Sequence, residues 1–256
     1  MNKKALFFFR NEKDIPITIF AFLTCTLFNF ISDLFRNTLL FHFFYQGIFG
    51  LGICIFFPLW FVTKKQKQCL SAVGITTNNW VKSVLIGFLI ATTSIAGRIM
   101  VERMHIILPN FNKLVYLTVC LTMSSFFEEI FFRGFLQTRF EKLLGMVPAI
   151  LISALCFSIY HIGYITIREN FSELIPLFIA GILFSISFRI TNNIITSFIV
   201  NLPHTIITFL ADQNYIAYGV HFNKRAALLS LLATFLGLFL IWYFDQKNKK
   251  VQMLVQ

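Results

Sequence analysis

Two adjacent carboxylates and a guanidinium, Glu128, Glu129 and Arg133, interrupt the apolar run Ser125-Phe126-Phe127-Glu128-Glu129-Ile130-Phe131-Phe132-Arg133. At bilayer depth each such charge costs about 2.5–3.5 kcal/mol even on a lenient insertion scale. Leu or Phe would pack there without that penalty, so the run marks a functional site by default. Its spacing has a local logic. Glu129 and Arg133 are four apart and pair along one helix face. Glu128 stands about 100° further around the helix and is free to face the interior. Two other apolar stretches carry His161 and the set Asn201, Pro203 and His204. Asn201 and His204 are three apart and share a helix face. Pro203, between them, frees a backbone carbonyl inside a span.

Together these side chains describe hydrolysis of an amide by activated water. A carboxylate held out of water is a capable general base near neutral pH. Two histidines and a glutamate, here His161, His204 and Glu128, can ligate zinc and leave a position open for water. An asparagine such as Asn201 donates to a developing oxyanion. The HExxH pair of zinc proteases does not occur in the chain, and both a zinc site and a metal-free glutamate mechanism stay open.

The elements that must position these groups are membrane helices. The chain has 256 residues, 57% of them hydrophobic, and only 13% are charged, against about 25% in globular domains. Apolar runs of span length recur throughout. The fold class is all-α, a polytopic membrane protein of about eight transmembrane helices forming a single transmembrane domain over 1–256. The expected spans are 15–35, 39–63, 82–101, 114–140, 147–167, 173–190, 192–211 and 226–244, the first two joined at Arg36-Asn37. A β-barrel would alternate polar and apolar residues over about ten positions, which this sequence does not do. The span 173–190 is the weakest, opening with Glu173 and carrying Pro176. Asp33, near the end of the first span, is expected to face water, and 64–79 reads as a cytoplasmic loop, with a re-entrant segment as the alternative.

A net charge of +11 would suggest nucleic acid in a soluble protein. Here the basic residues cluster between spans, so topology accounts for them and no nucleic-acid partner is expected. With the N-terminus inside, the larger share of Lys and Arg falls on the cytoplasmic side, which places both termini in the cytoplasm of a cell-membrane protein. The five Cys show neither a disulfide framework nor a zinc-finger spacing. Counted along each helix, Glu128, Glu129, His161 and His204 lie roughly 20 Å from the cytoplasmic ends of their spans, and Asn201 lies one turn shallower. Three spans thus bring these groups to one level.

The segment Glu128-Glu129-Ile130-Phe131-Phe132-Arg133 resembles the EExxxR motif of the CAAX protease and bacteriocin-processing (CPBP, Abi) family of intramembrane proteases. Phe157-Ser158-Ile159-Tyr160-His161 resembles that family's FxxxH motif. The similarity extends over about 70–215. The family's third motif, HxxxN, is met here by Asn201 followed by His204, with the two residue types in reversed order. The resemblance implies an intramembrane endopeptidase, often labelled a metalloprotease. Glu128 would activate water, Glu129 would orient it and pair with Arg133, and His161 would hold the water or a metal. His204 and Asn201 would complete the site and stabilise the oxyanion. If a metal is used, Glu128, His161 and His204 are its ligands. The partners implied are a peptide or membrane-protein substrate and the lipid bilayer. The alternative is a non-catalytic bacteriocin-immunity or scaffold protein of the same fold. A proton-coupled carrier with Glu128 and His161 as relay is a third class.

Overall fold

A computed structural model describes residues 6–7, 9–35, 38–102, 106, 111–164, 167 and 170–210. Its first helix, α1, spans Ile15–Leu34 and starts with a proline in the first turn, where the missing N–H leaves no helical bond unmade. The buried residues of α1 are Thr18, Ala21, Cys25, Asn29, Ser32 and Asp33. Ile19, Phe20, Leu23, Leu27, Phe30 and Leu34 are exposed. A water-soluble helix buries its apolar stripe. This one turns small and polar groups inward and its large apolar groups outward, as suits a lipid surround. Asp33 is 7% exposed and does not face water as its position near the span end suggested. It lies on the same inward stripe as Asn29 and Ser32.

The rod α2 covers 39–65 and includes two stretches of wider i→i+5 turns, Phe43–Phe56 and Phe61–Lys65. A short tight turn at Leu70–Val73 follows, then α3 (Trp80–Glu102). The rod α4 runs over 111–144, with wide i→i+5 turns at Glu129–Gln137 in its middle. Next come α5 (Met146–Tyr160), extended by the tight turn His161–Gly163, then α6 (Leu174–Thr191) and α7 (Ile194–Leu210). Pro176 falls in the first turn of α6, where its lack of an N–H is harmless, so the weakest expected span is a full helix.

Among the described residues, five stretches are long and apolar enough to cross a membrane: Ile15–Leu34, Phe43–Lys65, Trp80–Val101, Met146–Gly163 and Phe171–Thr191. The apolar part of α7, Ile194–Thr208, is shorter, and α4 carries the charges of the candidate site. The protein is an all-α, multi-pass membrane protein. The joint at Arg36-Asn37 and the span 226–244 lie outside the described residues.

Packing places α1 against α2, α3 against α7, and α5 against α6, with α7 also touching α4. Two glycines mark close approaches. A Cβ on Gly181 would come within 3.0 Å of the Ala154 backbone, so α6 and α5 meet there without side chains between them. A Cβ on Gly134 would lie 2.7 Å from the Val73 carbonyl. That contact shows the 64–79 segment to be more than a solvated loop. It packs Val73, fully buried, onto α4, and its Gly74 carbonyl accepts from the Ile194 N–H at 3.0 Å, at the start of α7. Asn193 adds two bonds at this joint. Its Nδ2 donates to the Thr76 carbonyl at 3.1 Å, and its Oδ1 accepts from the Ile195 N–H at 3.0 Å, satisfying an N–H that the new helix leaves open.

Candidate active site

Wide i→i+5 turns are rare and often accompany functional sites. Here they begin at Glu129, and every residue from Glu129 to Gln137 is buried. Both carboxylates meet the same partner on α7. Asn201 Nδ2 donates to Glu128 Oε2 at 3.1 Å and to Glu129 Oε1 at 2.9 Å. All three side chains are buried, Glu129 completely.

This geometry reassigns Asn201. Its amide has two N–H donors, and both are directed to the carboxylates. Its Oδ1 accepts from Thr205 Oγ1 at 3.0 Å. In this arrangement Asn201 is a clamp on the two glutamates, with no donor left over for an oxyanion.

Arg133 pairs with Glu129 as the four-residue spacing predicts, Nε to Oε2 at 3.7 Å with both side chains fully buried. Its Nη2 donates to the Gly181 carbonyl at 3.2 Å. The guanidinium lies 4.4 Å from the Phe157 ring centre and 5.3 Å from that of Phe184. A desolvated cation over an aromatic face gains about 2 kcal/mol or more, which partly offsets its removal from water. The first residue of Phe157-Ser158-Ile159-Tyr160-His161 is therefore a wall of the arginine pocket.

His161 ends α5. Its Nδ1 lies 2.7 Å from the Phe157 carbonyl. A carbonyl only accepts, so Nδ1 carries the proton and Nε2 of the neutral ring is left as an acceptor. The neighbouring residue makes the direct contact with the acidic pair: the Tyr160 hydroxyl donates to Glu128 Oε1, and its ring centre is 4.2 Å from that of His161. From α1, Asn29 Nδ2 donates to the Tyr160 carbonyl at 3.0 Å, tying the end of α5 to the first helix.

His204 is not brought to the carboxylates. Its Nε2 lies 2.8 Å from Ser94 Oγ on α3, and its ring stands 5.9 Å from Phe184. Residues three apart on a helix differ by about 60° in direction. For α7, which packs against both α3 and α4, that difference sends Asn201 to one neighbour and His204 to the other. Counting the HxxxN spacing back from Asn201 falls instead on Ser197, fully buried one turn earlier and donating to the Ile194 carbonyl at 3.2 Å.

The three donors of the suggested zinc site, Glu128, His161 and His204, are correspondingly not gathered. Among the described residues no group of three or more His, Cys, Asp and Glu side chains is placed to hold a metal. The donor set as arranged does not fit a zinc ion.

Sequence reasoning missed Tyr160, Asn29, Ser94 and Ser197. Tyr160 had a signal, its place next to His161. Asn29, an amide within an apolar stretch, had a weaker one. Nothing in the sequence pointed to Ser94.

A multi-pass α-helical membrane protein with a carboxamide-bridged glutamate pair at its core is the class that fold and site define. Residues 110–209 match the family described as type II CAAX prenyl endopeptidase Rce1-like. This segment, somewhat under half of the chain, holds α4 to α7 and nearly all the groups described above, and its similarity is to CAAX proteases. No curated protein and no solved structure matches the chain.

Proposed function

We propose that the chain is an intramembrane endopeptidase in which Glu128 takes a proton from water and the resulting hydroxide attacks a peptide carbonyl. The proton then passes to the leaving amine as the C–N bond breaks. His161 Nε2, an acceptor, holds the same water. Glu129 and Arg133 form the charged support beside the base, and Asn201 fixes the two carboxylates relative to each other. The single observation that carries this reading is the Asn201 bridge between two buried carboxylates, within a segment similar to CAAX proteases. A buried pair kept only for packing would be replaced by apolar residues at no loss. The substrate is a peptide or membrane protein reached within the bilayer of the cell membrane. The whole chain acts as one transmembrane domain with both termini in the cytoplasm.

The test compares cells making wild-type protein with cells making Glu128→Ala or His161→Ala at equal membrane levels. Mass spectrometry of peptide termini reads the difference. Peptides present with wild type and lost with both variants support the proposal and identify the substrate. Identical terminal-peptide profiles overturn it.

One observation favours a second reading, a non-catalytic immunity or scaffold protein. A serine, Ser197, stands where the HxxxN spacing calls for histidine, and His204 is bonded elsewhere. On that reading Glu128→Ala leaves the cellular function intact.

A further inference from the structure

A group of hydroxyl side chains gathers around Tyr160, the residue whose own hydroxyl meets Glu128. Tyr160 gives its only O–H proton to Glu128 Oε1, and its ring centre stands 6.3 Å from that of Tyr164. Tyr164 lies 3.0 Å from the Tyr45 hydroxyl on α2, and Tyr45 lies 2.9 Å from Ser124 Oγ on α4.

Tyr160 is the best-fixed member. It is fully buried, its ring packs 4.9 Å from Phe132 and 6.0 Å from Phe49, and its carbonyl is held by Asn29. Glu128 thus has one oxygen held from α5 by a hydroxyl and the other from α7 by an amide. Two donors on two oxygens fix the carboxylate plane, and each oxygen keeps a second lone pair for water. We propose that Tyr160 is a positioning residue for Glu128, held in place by its packed ring and by the Asn29 bond to its carbonyl. Its catalytic consequence rests on the endopeptidase reading, but the hydrogen bond itself does not.

The experiment uses the full chain in lipid nanodiscs, with infrared difference spectra of glutamate labelled with carbon-13 at the carboxyl. The Glu128 band is the one lost in Glu128→Gln. Tyr160→Phe keeps the ring and removes the donor, so that band shifts. With the Glu128-dependent peptide as substrate, kcat falls by about 10- to 100-fold while KM stays within roughly twofold, a part of what a positioned base supplies. An unmoved band in Tyr160→Phe overturns the proposal. So does a shifted band with unchanged kcat on a peptide that Glu128→Ala fails to cut. A shifted band in a protein that cuts nothing overturns the endopeptidase reading and leaves the positioning bond standing. Should Tyr160→Phe fail to insert, 3-fluorotyrosine at position 160 keeps the shape and makes the hydroxyl a stronger donor. The Glu128 band then shifts, or the proposal fails.

Discussion

Arg133 and Glu129 form an ion pair at 3.7 Å with no exposed side-chain surface on either partner. Removing one member of such a pair strands the other as a buried charge, which costs about 3–5 kcal/mol. Removing both can be close to neutral. Arg133→Met is therefore expected to lower stability by about that amount. Glu129→Gln combined with Arg133→Met is expected to recover most of the loss and yet remain inactive. Thermal unfolding in detergent, read beside peptide production, separates the two effects.

Asn201 joins α7 to both glutamates. Asn201→Leu fills similar space and removes both donors that hold the carboxylates, so peptide production is expected to drop about 100-fold, the lower end of what a positioned base supplies. Asn201→Asp places a third carboxylate against two others in a low-dielectric site and is expected to be worse in both activity and stability. Product rates normalised to protein in the membrane test the order.

The two histidines are expected to differ. His161→Ala removes the acceptor beside Tyr160 and lowers activity about 100-fold or more. His204→Ala removes a bond to Ser94 and is expected to cost less than about tenfold, within the range of one lost neutral hydrogen bond. Equal losses in the two variants, measured on the same peptide, would show that His204 turns to the carboxylates during the reaction.

Gly134 tests the seating of the 64–79 segment. A methyl group there would meet the Val73 carbonyl at 2.7 Å, and backbone does not give way as a flexible side chain does. Gly134→Ala is expected to destabilise by about 1–3 kcal/mol. Protease accessibility of 64–79 should rise together with the drop in unfolding temperature.

By itself the sequence determined the helices, the membrane and the identity of the acidic pair. Those properties are local. Hydropathy adds along a span, and a charge in an apolar run stands out whatever surrounds it. The Glu129–Arg133 pair was legible for the same reason, since four residues along a helix bring two side chains together without help from other elements. What Asn201, His161 and His204 touch was decided by tertiary structure. Asn201 and His204 are equally suited by type and lie three positions apart, and only the rotation of α7 between α3 and α4 sends one to the glutamates and the other to Ser94. Two neighbouring carboxylates, which a helix spreads by about 100°, meet one partner because α7 places the two N–H donors of Asn201 between them. Tyr160 reaches Glu128 from a helix end whose carbonyl is held by Asn29, 131 residues away in sequence. No local pattern encodes a contact of that kind. It exists only once the helices have packed and each buried donor has found its acceptor.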